Sequence, residues 1–171
     1  WKLYTINKYN DKPGIHLDVG SGDGSFSEYL INKNWITFTY DRYNTNLKTH
    51  KNILEFANSS IDIITLWHSI EHIHNLGDTL TLLDSKLKLN GLLYIACPNY
   101  NSTDRKLLGD SWAAFDVPRH LYHFEKKTIK KLLNKYNFDI IEKYAMPQDT
   151  MFNVFKSKKF GIINIFICLI V

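Results

Sequence analysis

An open α/β sheet, doubly wound and mostly parallel, is the fold class this sequence predicts, and three observations predict it. Short apolar or β-branched runs alternate along most of the chain with stretches whose apolar residues recur at helical spacing. The runs Ile61 to Trp67 and Leu92 to Cys97 are apolar almost throughout, as strands buried on both faces are. A glycine-rich turn separates the first apolar run from the first helical stretch, where an open sheet of this kind places a binding loop.

Taken in order, Ile15 to Val19 is the first strand, and the turn Gly20 to Gly24 leads into a helix marked by Phe26, Tyr29 and Leu30. Trp35 to Tyr40 is the second strand and ends at Asp41. Past an Asn-rich stretch, Lys51 to Phe56 reads as a short third strand and Ile61 to Trp67 as the fourth. Leu76, Leu80, Leu83 and Leu87 form the apolar stripe of an amphipathic helix that Asn90-Gly91 stops. Leu92 to Cys97 is a fifth strand, ended by Pro98 because proline has no ladder donor. A loop from Asn99 to Glu125 follows. Ile129, Leu132, Leu133 and Tyr136 then mark another helix, and Phe138 to Tyr144 a sixth strand.

A chain of 171 residues, 44% hydrophobic and 22% charged, holds enough apolar material for one core. The expectation is a single domain over 1–171, with its core at 14–144 and an apolar C-terminal segment at 145–171. The net charge of +4 comes from scattered lysines and reads as a solvated surface rather than a nucleic-acid footprint. Cys97 and Cys168 lie far apart without CxxC spacing, which excludes a disulfide framework or zinc ribbon and fits a reducing cytoplasm. A start at Trp1 rather than Met and an end within an apolar run read as trimmed termini. The run Phe160 to Val171 is shorter than the roughly 20 residues that cross a bilayer. With Lys156, Lys158 and Lys159 before it, the segment fits a peripheral membrane contact; a dimerisation element and a last buried strand are the other readings.

Gly20, Gly22 and Gly24 stand where absent side chains let the backbone turn sharply and approach a ligand. A dinucleotide fingerprint requires Gly or Ala at position 25, which is Ser25, and the Lys-Ser/Thr pair of a phosphate loop is absent. Asp18, two residues before the first glycine, repels a phosphate and suits a cation. S-adenosylmethionine carries an ammonium and a sulfonium, and its ribose needs a hydroxyl acceptor about 20 residues further on, at the end of the second strand. Asp41 sits at that place.

These segments resemble the class I S-adenosylmethionine-dependent methyltransferases, with their Rossmann-like sheet, over about Gly14 to Tyr144. The resemblance rests on four ordered segments: Leu17-Asp18-Val19-Gly20-Ser21-Gly22-Asp23-Gly24, Ile61 to His72, Leu87-Lys88-Leu89-Asn90-Gly91-Leu92-Leu93, and Asp116 to Phe124. It is closer to the bacterial subgroup similar to ubiquinone-biosynthesis O-methyltransferases and surface-polysaccharide methyltransferases. The resemblance implies that Asp18, Gly20 and Gly22 hold the methionine moiety, that Asp41 binds the ribose, and that Trp67 and His68 flank the sulfonium. Ser21, Gly24 and Arg42 complete the implied cofactor set. Asn52 stands near where relatives carry an acid that contacts adenine, and an amide can pair with the adenine edge. The family sheet closes with an antiparallel seventh strand, for which no hairpin is legible here.

Methyl transfer from a sulfonium is an in-line displacement, so alignment in a dry site supplies most of the catalysis. A hydroxyl acceptor also benefits from a general base, and histidine fits best. His120 is the first choice, with His123, His68 and His72 beside it, against the alternative that these side chains pack, cap or clamp a loop. Arg119 is read as a partner of Asp116 or Glu125, or of an anionic acceptor group. The spacing of His68, Glu71 and His72 also invites a metal reading, which is disfavoured because the segment begins at a strand end; no metal is expected. The expected reaction is O-methylation of a small-molecule acceptor: a sugar, a quinone precursor or a lipid-linked compound. A non-catalytic nucleotide-binding module and an NAD-dependent oxidoreductase are the alternatives. A nucleic-acid substrate is not expected, since Leu66-Trp67-His68-Ser69 lacks the Asn/Asp-Pro-Pro-aromatic motif of base methylation.

Overall fold

The computed structural model describes residues 1–10 and 12–157, so the apolar run from Phe160 lies outside the described residues. The chain divides into two compact units, Trp1–Cys97 and a second that starts at Pro98. The first unit carries α1 (Lys2–Asn7), β1 (Ile15–Val19), α2 (Ser25–Ile31), β2 (Ile36–Tyr40), β3 (Ile61–Trp67), α3 (Leu76–Lys86) and β4 (Leu87–Ala96). Its four strands are all parallel and lie in the order β2-β1-β3-β4. The chain winds one way from β1 to β2 and then returns to place β3 on the other side of β1. The carboxyl ends of β1 and β3 therefore form the switch point at which open sheets bind ligands.

The register pairs His16 with Ile63 and Asp18 with Thr65, so these four side chains share one face. On that side Ile6 of α1, Leu30 of α2, Trp35 and Ile63 form a buried cluster, with Leu3, Phe26 and Tyr94 packed against it. Leu17, Ile64 and Leu66 on the opposite face are fully buried as well. Both faces of the sheet are covered, as the doubly wound reading requires, and each such side chain contributes about 1.5–3 kcal/mol by leaving water.

Four expectations are corrected. Lys51 to Phe56 is not a strand: Ile53–Glu55 forms a 3-10 turn, and the only pairing nearby is a single bridge of Thr39 with His50. The turn wins because Asn52 accepts from the Leu54 N–H while Glu55 accepts from the Asn52 N–H, a reciprocal cap. Leu87 opens β4 rather than closing the helix, and Asn90-Gly91 lies in a bulge of that strand. The partners jump from Leu87 opposite Ile61 to Leu92 opposite Ile63, with Asn90 at φ 63° and Leu89 91% exposed.

The stretch read as a loop holds α4 (Thr103–Leu108) and two 3-10 turns, Gly109–Ser111 and Ala113–Phe115. Its apolar residues Leu108, Trp112 and Ala114 form a small core of their own. Phe138 to Tyr144 pairs with nothing among the described residues and stays irregular, with Ile141 and Tyr144 exposed. The second unit continues with α5 (Lys126–Lys135) at the predicted place and α6 (Pro147–Lys156), which the sequence pattern did not suggest; α1 was likewise not foreseen.

Candidate cofactor site at the switch point

At the end of β1 the chain enters the left-handed region at Gly20, φ 75°. The Gly20 N–H donates to the Tyr40 carbonyl at 2.7 Å, and the Ser69 hydroxyl donates to the Val19 carbonyl at 2.7 Å. The first bond holds the end of β1 to β2, and the second brings the end of β1 so close to the residues after β3 that a Cβ on Gly20 would sit 2.3 Å from the Ser69 Cβ. Gly22, also left-handed at φ 58°, is the opposite case: a Cβ there would meet nothing within 4 Å. One glycine is demanded by the protein and the other by open space above the loop. Gly24 follows as the N-cap of α2.

Asp41, just past β2, latches this loop. Its Oδ2 accepts from the Gly22 N–H at 3.0 Å, and its Oδ1 accepts from the Tyr43 and Asn44 N–H groups at 2.8 and 3.1 Å. The Asn44 side chain returns a bond to the Gly22 carbonyl at 2.8 Å. Asp41 Oδ2 keeps a second lone pair for a ligand hydroxyl. Arg42 is exposed beside it. The Ser21 hydroxyl oxygen is buried in the same loop without a hydrogen-bond partner. An orphaned donor, a glycine facing open space and a latched carboxylate at the switch point together fit the amino-acid and ribose ends of S-adenosylmethionine.

Asp18 lies beneath the loop, 2% exposed, accepting from Thr65 at 2.6 Å and Ser27 at 3.2 Å. Burial pushes its carboxyl up from the ordinary range, while the Thr65 bond, the Lys2 charge and the Ser27 bond pull it back. Because the Thr65 hydroxyl proton goes to Asp18, its oxygen accepts from His16 Nε2 at 2.9 Å, which fixes that tautomer. Burial lowers the His16 pKa to about 3, so the ring is neutral. Asp18 thus ties β1 to β3 and to α2 beneath the loop.

β3 ends at Trp67, and His68 follows in the left-handed region at φ 54°, an unusual conformation for a non-glycine residue and common where a site demands it. Its Nδ1 lies 3.8 Å from Oε1 of Glu71, which is 1% exposed, while the His68 ring is 41% exposed. The turn Ile70–His72, anchored by fully buried Ile70, carries Glu71 inward and leaves His72 exposed. Cys97, just past β4, is a free thiol pushed up to about 12 by burial and by the Glu71 charge, so it stays protonated. Asn52 spends its Oδ1 on the cap already described. The linear pattern gave no sign of Asn44 or Ser69 as loop latches; the signal for Ser69 was only its place two residues after a strand that the glycine loop abuts.

In the second unit, His120 Nδ1 donates to the Ala114 carbonyl at 2.8 Å and His123 Nε2 donates to the Phe115 carbonyl at 3.0 Å. His120 Nε2 lies 3.8 Å from Asp116 Oδ2. Asp116 also holds the Arg119 guanidinium through both oxygens, the ion pair expected for that arginine. The His123 ring packs against Tyr100 and Phe115. Both histidines tie down the turn they follow.

A family model described as a methyltransferase domain matches residues 2–143. The chain belongs to this methyltransferase family. A search of curated proteins finds no match. Among solved structures, a SAM-dependent methyltransferase from Archaeoglobus fulgidus aligns at TM-score 0.62 and 20% identity, over 81% of this chain and 66% of its own. One from Methanosarcina mazei aligns at TM-score 0.59 and 17% identity, over 82% of this chain and 85% of its own. Phosphoethanolamine N-methyltransferase 2 from Haemonchus contortus, in complex with S-adenosyl-L-methionine, aligns at TM-score 0.64 and 15% identity, over 98% of this chain and 46% of its own. At such identities the likeness establishes the fold, that of S-adenosylmethionine-dependent methyltransferases, and S-adenosylmethionine is the cofactor of this class. The chain spans 66% of the Archaeoglobus protein's length and about half of the Haemonchus protein's. No helix among the described residues is long and apolar enough to cross a membrane.

Proposed function

We propose that this methyltransferase domain binds S-adenosylmethionine on the loop Gly20 to Gly24 and methylates a hydroxyl of a small acceptor such as a sugar, a quinone precursor or a lipid-linked compound. The observation that carries the cofactor reading is the latch between Asp41 and Gly22, which sets an acceptor carboxylate beside open backbone at the switch point. The bound cofactor supplies an activated methyl group. Gly22 gives the approach, the Ser21 hydroxyl supplies an unspent hydrogen bond, and Asp41 Oδ2 accepts from the ribose. His68, strained at the end of β3 with a buried carboxylate behind it, and His120, whose Nδ1–H is fixed by a carbonyl, are the candidates to take the acceptor proton.

The test is transfer of labelled methyl from S-adenosylmethionine to a panel of sugars, phenols, lipid-linked saccharides and primary amines. Label on a hydroxyl compound, released by demethylation of an ether, is the expected result. Label confined to the amines would overturn O-transfer while leaving the cofactor reading in place.

A further inference from the structure

Trp67 closes β3 within a group of rings set nearly at right angles. Its ring centroid lies 5.3 Å from Trp1 at 78° and 5.7 Å from Phe26 at 89°, with Tyr94 tilted against it at 6.4 Å. The Lys2 ammonium sits among these rings, 4.7 Å from the centroid of Phe26, 5.1 Å from Trp67 and 6.0 Å from Trp1. All three distances are within the ~6 Å over which a ring face attracts a cation. Two carboxylates of the glycine loop region, Asp18 and Asp23, also feel the Lys2 charge, which favours their ionised forms. The indole Nε1 of Trp67 is buried there without a hydrogen-bond partner. Electron-rich faces, nearby negative charge and a place at the end of β3 make this a site for a positive group.

Lys2 occupies that site on a tether. Helix α1 is anchored by fully buried Ile6, with Leu3 packed against the same cluster, so the Lys2 stem can swing out by rotamer changes while the helix stays docked. Two cations cannot share one cage, because like charges at such separations repel.

We propose that the Trp1, Phe26 and Trp67 rings are an onium-binding cage, that Lys2 fills it in the ligand-free chain, and that the sulfonium of the cofactor displaces it. The proposal rests on the cofactor reading above and adds a competitor built into α1. It follows that the cage distinguishes cofactor from product. The demethylated product is a neutral thioether, gains little from the rings, and yields the cage back to Lys2.

Calorimetric titration of S-adenosylmethionine and S-adenosylhomocysteine into the wild-type chain and Lys2→Met tests this. Removing the tethered cation should tighten the sulfonium ligand by about three- to tenfold, in the range of one cation–π contact, and shift the thioether less than about twofold. Weakening of both ligands together, or an unchanged ratio, would overturn the proposal. Trimethylsulfonium, read by tryptophan emission, probes the cage without the rest of the cofactor. Tighter binding to Lys2→Met than to wild type, and its loss in Lys2→Met/Phe26→Leu, supports the cage; equal binding to all three overturns it even where S-adenosylmethionine binds. Absence of both adenosyl ligands from the wild-type chain would instead overturn the cofactor reading.

Discussion

Gly22→Ala should separate the loop's role in binding from its role in folding. At φ 58° an alanine costs about 1–2 kcal/mol of backbone strain, and its methyl meets no protein atom within 4 Å, so no clash is added. Loss of that much stability lowers the melting temperature of a domain this size by roughly 2–8 °C. The space the methyl enters is the space assigned to the cofactor, where overpacking of about 1–3 kcal/mol corresponds to roughly 5- to 150-fold weaker binding. Gly20→Ala is the matched contrast. Its Cβ would lie 2.3 Å from the Ser69 Cβ on a residue bonded to Val19, so strain and overpacking add to about 2–5 kcal/mol of folding stability. Thermal melting and calorimetry with S-adenosylhomocysteine measure both effects. Wild-type affinity in folded Gly22→Ala would refute the claim that the ligand lies against this glycine.

Four other substitutions carry expected outcomes. His16 is neutral in the fold with its pKa lowered from 6.5 to about 3, so the unfolded chain takes up the proton first, and the stability this contributes is complete above about pH 6.5 and lost as pH falls toward 3. Between pH 7 and pH 5 that is about 2 kcal/mol, which denaturant titrations should show in wild type minus His16→Gln, where the amide keeps a donor for Thr65. Asp41→Ala removes three backbone hydrogen bonds and the proposed ribose acceptor, and should weaken S-adenosylmethionine binding at least about 10- to 100-fold; unchanged affinity would remove Asp41 from the site. Of His68→Gln and His120→Gln, the one that replaces the general base should lose about 10²–10⁴-fold in kcat at unchanged cofactor affinity, whereas a loop clamp would raise KM or lower the melting temperature instead.

The central strands were legible because Ile15 to Val19 and Ile61 to Trp67 are short stretches rich in apolar and β-branched residues, as strands buried on both faces are. The glycine loop was legible because its place between strand and helix is a local property. Lys51 to Phe56 has a strand-like composition, but the three-residue spacing of Asn52 and Glu55 is a capping signal in the sequence, and the cap decides for the turn. Leu87 continued the helical stripe by spacing alone, and only the pairing with Ile61 assigns it to a strand. Phe138 to Tyr144 has apolar residues suited to a strand, but a strand exists only through a neighbour, and none pairs with it among the described residues. The Asp18, Thr65 and His16 chain and the cage around Lys2 join segments tens of residues apart, which no linear pattern announces.

The most direct measurement is calorimetric titration of the chain with S-adenosylmethionine and S-adenosylhomocysteine, with NADH as the control ligand. A site latched by Asp41 beside an open Gly22 predicts saturable one-to-one binding of both adenosyl ligands and none of NADH. Binding of NADH, or of neither adenosyl ligand by the folded chain, would contradict the account.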